Sequence, residues 1–127
     1  MVEDNMTVAT KFIEQIKKTG SNKIDHVTTG EDALELIESN KYDLIFMDYT
    51  LGDVMNGDQL TLIIRKADIN TPIVSISNMD LGDAGPMILH RNGYNGQILK
   101  DNYIGLPDNV EKIVNFWIDK GLIREFN

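Results

Sequence analysis

The chain has 127 residues, 42% of them hydrophobic, and a formal net charge of −8 at pH 7. This length and content predict one domain over residues 1–127, with a single hydrophobic core. The acidity argues against direct binding to nucleic acid or to an anionic membrane surface. The chain has no cysteine, which excludes disulfides and thiolate metal sites, and no hydrophobic run as long as a membrane span.

The first half of the chain alternates between helical and strand patterns. Residues 6–18 carry hydrophobic side chains at helical spacing, and Gly20 marks the end of that helix. The segment 23–28 contains Ile24 and Val27 and is predicted as a short strand. A second helix is predicted from Thr29 to about residue 39. The continuous hydrophobic run Leu44–Met47 then predicts a strand buried on both faces, and it ends on Asp48.

The second half repeats the alternation. A helix is predicted from Gly57, a strand over residues 73–76, a weak helix over 79–92 and a strand over 96–99, and a last helix begins at Pro107. The helix over 79–92 is weak because two glycines and a proline lie within it. Strands alternating with helices of this size predict an α/β fold with a doubly wound parallel sheet.

Polar and charged residues follow the predicted strands at one edge of this sheet. They are Glu3 and Asp4 near the start of the chain, Asp48, Ser77 and Lys100. Ligands bind beyond the carboxyl ends of strands in open α/β sheets. Three carboxylates there repel one another unless a hard cation lies among them, and oxygen-only ligands favour magnesium. An Asp between such a cation and a Lys is a candidate phosphoryl acceptor.

These segments, in this order and at this spacing, resemble the receiver domain of response regulators, the phospho-acceptor module of two-component signalling. Residues 2–5 resemble the acidic pair after the family's first strand, and residues 46–48 its acceptor Asp. Residues 72–77 resemble its fourth strand with the switch hydroxyl, and residues 93–100 its fifth with the Lys. The resemblance implies a flavodoxin-like (βα)5 fold with strand order 2-1-3-4-5 and a shortened first strand.

The resemblance also assigns roles to the residues at the sheet edge. Asp48 would accept a phosphoryl group from a phosphohistidine on a sensor histidine kinase or a histidine phosphotransfer protein. Mg²⁺ would be bound by Asp4, Asp48 and the carbonyl of Thr50, with Glu3 acting through water. Lys100 and Ser77 would contact the phosphoryl group, and the movement of Ser77 would change the binding of a downstream protein target. A cytoplasmic location is implied as well.

The sequence departs from the family pattern in several places. Only Met1 and Val2 precede the acidic pair, which indicates a late start, a tolerated stub, or a gap filled by a neighbouring copy in a homodimer. The loop after Asp48 lacks the usual proline, and its glycine falls one residue late. Asp101 replaces the proline after Lys100, and Gln97 occupies the position where an aromatic switch residue often lies.

Two alternatives remain open on the sequence alone. A degenerate receiver would keep the fold and bind partners without phosphorylation, although all five site side chains are retained. A small phosphatase or mutase of the aspartyl-phosphate type also uses an Asp at a strand end. Such enzymes usually carry a second Asp two residues after the nucleophile, where this chain has Thr50. At most, the chain would phosphorylate and dephosphorylate itself, without turnover on small substrates.

Overall fold

The structure is a computed structural model that describes residues 1–18, 23–51, 54–67, 69–77 and 81–99, together with Lys112 and Asn115. The helices in this part of the chain are α1 (Met6–Lys18), α2 (Gly30–Ser39), α3 (Gly57–Lys66) and α4 (Gly85–Arg91), with a 3₁₀ turn at Gly82–Ala84. The strands are β1 (Ile45–Asp48), β2 (Ile73–Ser77) and β3 (Gly96–Leu99).

Polar side chains cap the first three helices. The Asn5 side chain accepts hydrogen bonds from the backbone N–H groups of Thr7 and Val8, at 3.0 and 3.1 Å. Thr29 accepts one from the N–H of the third residue of α2, at 3.2 Å. Asn56 forms a reciprocal capping box with Gln59, with both hydrogen bonds at 2.9 Å. The predicted positions of these three helices are confirmed.

The three strands form a parallel sheet in the order β1-β2-β3. Asp48 lies opposite Ile76, and Ser77 lies opposite Leu99. The carboxyl ends of the strands therefore meet at one edge, as the doubly wound fold requires. Helices lie on both faces of the sheet. Phe12 and Ile16 of α1 pack with Phe46 on one face, whereas hydrophobic residues of α2 and α3 pack against the other.

Val2 extends this sheet beyond β1 by a single residue. It bridges Met47 on one side and Val27 on the other, both in parallel orientation. The Val2 N–H donates to the Phe46 carbonyl and the Asp48 N–H donates to the Val2 carbonyl, each at 2.9 Å. Val2 thus lies between residues 27 and 47, which is the place that the predicted order gives to the first strand.

The predicted strand over residues 23–28 is wrong in extent, because only Val27 makes a β-bridge there. Its neighbour, the segment 1–3, offers one bridging residue, so a longer ladder has nothing to pair with. Residues 79–92 also differ from the prediction. The described part holds the 3₁₀ turn, where Gly82 has a φ of 65°, and then the seven residues of α4 with a proline in the first turn.

The last predicted helix, from Pro107, lies outside the described residues except for Lys112 and Asn115, which are helical and exposed. Among the helices that the structure describes, none combines the length and the hydrophobicity that crossing a bilayer demands.

Candidate functional site at the carboxyl edge of the sheet

Three of the predicted site residues, Glu3, Asp4 and Asp48, form one acidic cluster. One carboxylate oxygen from each lies within 4.8 Å of the others. Glu3 is 0% exposed and Asp48 is 2% exposed, whereas Asp4 is exposed to solvent. The cluster is thus a largely buried group of carboxylates with one side open to solvent.

Backbone pairing holds the cluster together. Asp48 is the last residue of β1, and its N–H donates to the carbonyl of Val2, which places residues 3 and 4 beside the end of that strand. The Glu3 N–H donates to the Val27 carbonyl at 3.0 Å, and the Glu3 side chain accepts a hydrogen bond from the Asn5 N–H at 3.2 Å. The ring of His26 lies 2.8 Å from the Glu3 carbonyl oxygen. A single bridging residue therefore fixes the acidic cluster on the sheet.

The donor set of this cluster fits a hard divalent cation. Carboxylate oxygens are the ligands that Mg²⁺ takes, usually one or two from the protein with the remainder from water and phosphate. Two carboxylates in a buried setting repel each other more strongly than at the surface, because the local dielectric is lower. A divalent cation would offset that repulsion, and the exposed side at Asp4 leaves room for its water ligands.

The loop after Asp48 folds back on the strand end. The Gly57 N–H donates to the Tyr49 carbonyl at 2.7 Å. A Cβ atom at Gly57 would lie 2.2 Å from the Asp48 carbonyl oxygen, so only glycine allows this approach. Leu51 is buried at 3% exposure and anchors the middle of the loop in the core. Thr50, the predicted carbonyl ligand, lies exposed between the acceptor and this anchor.

Ser77 ends β2, the strand adjacent to β1, and is half-buried. The structure therefore places it at the same edge as Asp48, as predicted. Lys100 follows β3 directly, but it lies outside the described residues, as does Asp101. The prediction for Lys100 stays a prediction.

Sequence reasoning missed a contact between Tyr94 and Asp58. Tyr94 is 4% exposed, and its hydroxyl donates to the Asp58 carboxylate at 2.7 Å. Burial raises the pKa of Tyr94 above its usual value, which favours the protonated hydroxyl that donates this hydrogen bond. The only signal in the sequence was an aromatic residue between two glycines, at 93 and 96. Asp58 lies in the first turn of α3.

Comparison with known proteins agrees with this geometry. The family model of the response regulator receiver domain matches residues 1–105. The cell cycle response regulator CtrA of Brucella ovis is 30% identical over 79 residues, which are 62% of this chain and 33% of that protein. The chain thus spans about a third of the length of the curated relatives it matches.

Solved structures show the same fold. A two-component response regulator from Clostridium difficile is 27% identical, with a TM-score of 0.73 over 90% of this chain and 92% of that chain. The Mn²⁺-bound form of response regulator Rcp1 is 22% identical, with a TM-score of 0.68 over 91% and 90% of the two chains. At that lower identity the likeness concerns the fold alone.

Proposed function

This chain belongs to the response regulator receiver domain family, and we propose that it takes a phosphoryl group onto Asp48 from a phosphohistidine in a Mg²⁺-dependent reaction. The observation that supports the proposal best is the acidic cluster. Asp48 is the last residue of a buried strand. One of its carboxylate oxygens lies within 4.8 Å of a carboxylate oxygen of Glu3 and of Asp4. That is the chemistry expected around an acceptor carboxylate that works beside a divalent cation.

In the proposed step, a carboxylate oxygen of Asp48 attacks the phosphorus of the phosphohistidine. The new O–P bond forms an acyl phosphate, the P–N bond breaks, and the partner's imidazole departs with its electron pair. Bound Mg²⁺ would neutralise charge on the phosphoryl oxygens. Glu3, Asp4 and the carbonyl of Thr50 are the groups that would hold it, together with Asp48.

Ser77 and Lys100 complete the proposed site. Ser77 lies one strand away from Asp48, at the same edge, and its hydroxyl is proposed to donate to a phosphoryl oxygen. Lys100 is proposed as the cationic contact on the strength of its place after β3. Phosphorylation of Asp48 would change the surface that the domain presents to a downstream protein target. We place the receiver domain over residues 1–127 in the cytoplasm, with a sensor histidine kinase or a histidine phosphotransfer protein as donor.

The proposal is tested by incubating the protein with acetyl phosphate and measuring its intact mass, with and without Mg²⁺. One phosphoryl group added only in the presence of the divalent cation is the expected result. Mn²⁺ should replace Mg²⁺, because both accept carboxylate oxygens. An unchanged mass on a folded wild-type protein would contradict the proposal.

A matched pair of variants locates the acceptor. Asp48→Asn keeps the size of the side chain and removes the nucleophilic carboxylate, so it should gain no mass. Asp25→Asn makes the same change at the amino end of the sheet, where Asp25 accepts a hydrogen bond from Tyr42, and should still be phosphorylated. Equal phosphorylation of wild type and Asp48→Asn would show that the acceptor is another residue.

A further inference from the structure

We infer that Tyr94 is a positioning residue for the described parts of the acceptor loop, residues 49–51 and 54–57, and acts through its hydrogen bond to Asp58. This inference rests on the proposed function for its purpose, but the contacts that carry it are independent of any bound phosphoryl group or metal. The Tyr94 hydroxyl is buried and donates to a carboxylate in the first turn of α3. Asn92 lies 3.5 Å from the second oxygen of the same carboxylate.

The first turn of α3 is in direct contact with the acceptor. Gly57 precedes Asp58, its N–H donates to the Tyr49 carbonyl, and its Cα packs against the Asp48 carbonyl with no space for a side chain. A shift of Asp58 along the helix axis would therefore also displace the backbone of Tyr49 and Asp48. Tyr94 holds this turn through its hydrogen bond to Asp58.

The turn that carries Tyr94 lies along α3 over most of its length. A Cβ atom at Gly93 would lie 3.1 Å from the side chains of both Thr61 and Arg65, so the turn packs closely on the helix. Arg65 donates to the Gly93 carbonyl at 2.9 Å and to the Asn95 side chain at 2.8 Å. Tyr94 makes the contact nearest the acceptor, and Arg65 makes the contact at the far end of α3.

The same turn leads directly into β3. Gly96 is paired with Val74 of β2, and Gln97 takes the position where the family often has an aromatic residue. Tyr94 therefore links two segments that both border the site: the acceptor loop, through α3, and the strand that precedes Lys100. A change at Asp48 that moved the start of α3 would act on β3 through this hydrogen bond.

Hydrogen–deuterium exchange of Tyr94→Phe, without metal or phosphoryl donor, tests this inference. The chain offers a matched control in Tyr42→Phe, because the Tyr42 hydroxyl also donates to an aspartate, Asp25, at the opposite end of the sheet. Exchange in a peptide covering residues 49–58 should accelerate severalfold in Tyr94→Phe and stay at the wild-type rate in Tyr42→Phe. An equal acceleration in both variants, or none in either, would overturn the inference.

Calorimetric titration with Mg²⁺ extends the test to the site. Tyr94→Phe should bind Mg²⁺ up to about tenfold more weakly, a loss typical of residues that orient metal ligands, whereas Tyr42→Phe should bind as the wild type does. If the wild-type protein takes up neither Mg²⁺ nor phosphoryl while exchange is faster only in Tyr94→Phe, the proposed function fails and the positioning role stands. Local exchange at the wild-type rate in Tyr94→Phe rejects the positioning role whatever the metal does.

Discussion

Charged side chains have different surroundings at the two ends of the sheet. At the amino end, Arg65 and Asp25 each have hydrogen-bond partners. Arg65 donates to the carbonyls of Ile69, Thr71 and Gly93, and Tyr42 donates to Asp25. At the carboxyl end, three groups of the same sign converge, and two of them are buried.

This difference separates structural from functional residues. Hydrogen bonds from Arg65 to backbone carbonyls at the amino end hold the starts of β2 and β3 on α3, so they stabilise the fold. Buried like charges at the carboxyl end cost stability, and a protein retains them where a ligand offsets that cost. We therefore expect substitutions at the amino end to lower the free energy of unfolding and to leave Mg²⁺ affinity nearly unchanged. Removal of a carboxylate at the carboxyl end should raise the metal-free free energy of unfolding and weaken Mg²⁺ binding.

The largest effect is expected at Gly57. In Gly57→Ala, the new methyl group would lie 2.2 Å from a backbone oxygen, which cannot move aside like the end of a flexible side chain. We expect a loss of about 3 kcal/mol or more in the free energy of unfolding, measured by urea denaturation, together with loss of phosphorylation. Gly96→Ala is the control, because its methyl group would meet no atom of the described residues within 4 Å. Equal losses in the two variants would contradict the close approach.

Arg65→Met tests the amino end. It removes the donor to three backbone carbonyls and to the Asn95 side chain, so we expect a loss of about 2–3 kcal/mol. Binding of Mg²⁺, measured by calorimetry on the folded variant, should stay within about twofold of the wild type, because the acidic cluster lies at the other end of the strands. A large loss of metal affinity without a loss of stability would reverse the assignment of the two ends.

Asp48→Asn should raise the free energy of unfolding of the metal-free protein, which is the opposite of the effect expected for Arg65→Met. It removes one of three clustered charges, and two unit charges about 4 Å apart interact by about 1 kcal/mol even in water, so metal-free stability should rise by about that amount. Wild type should gain about 1.4 kcal/mol from Mg²⁺ at ten times its Kd, and the variant less at the same concentration. Asp25→Asn makes the same charge change at the amino end and should not stabilise. A metal-free Asp48→Asn protein less stable than wild type would refute the repulsion.

The smallest expected effect is the pH dependence of the contribution that Tyr42 makes to stability. Burial, and secondarily the hydrogen bond to Asp25, raise the pKa of Tyr42 to about 12 in the folded protein from 10.0 in the unfolded chain. Its contribution to stability is therefore fully present below about pH 10 and is lost as pH rises to about 12. Tyr42→Phe should be less stable than wild type by under about 1 kcal/mol at pH 8, and the difference should narrow by pH 11. A constant difference in urea midpoint would argue against the shift.

The sequence was sufficient to predict the fold class, the first three helices and the acidic cluster. Each of these follows from local periodicity or from the residue that ends a strand, and parallel strands bring such residues together. Strand length over residues 23–28 was not predictable in this way, since it depends on how many residues the neighbouring segment can pair.

Contacts between segments that are distant in the chain were also not predictable from the sequence. The approach of Gly57 to Asp48 and the hydrogen bond from Tyr94 to Asp58 join residues whose separation along the chain carries no pattern. Glycine in a loop and tyrosine in a turn are both common, and their roles became visible only when packing placed a specific backbone oxygen or carboxylate beside them.

Borohydride reduction of the phosphorylated protein, followed by peptide mass spectrometry, shows directly whether Asp48 is the phosphoryl acceptor. An aspartyl phosphate is reduced to homoserine, so the acceptor is marked permanently at its position in the chain. We expect homoserine at position 48 after treatment with acetyl phosphate and Mg²⁺, and unmodified aspartate there when Mg²⁺ is left out. Homoserine at any other aspartate, with Asp48 intact, would contradict it.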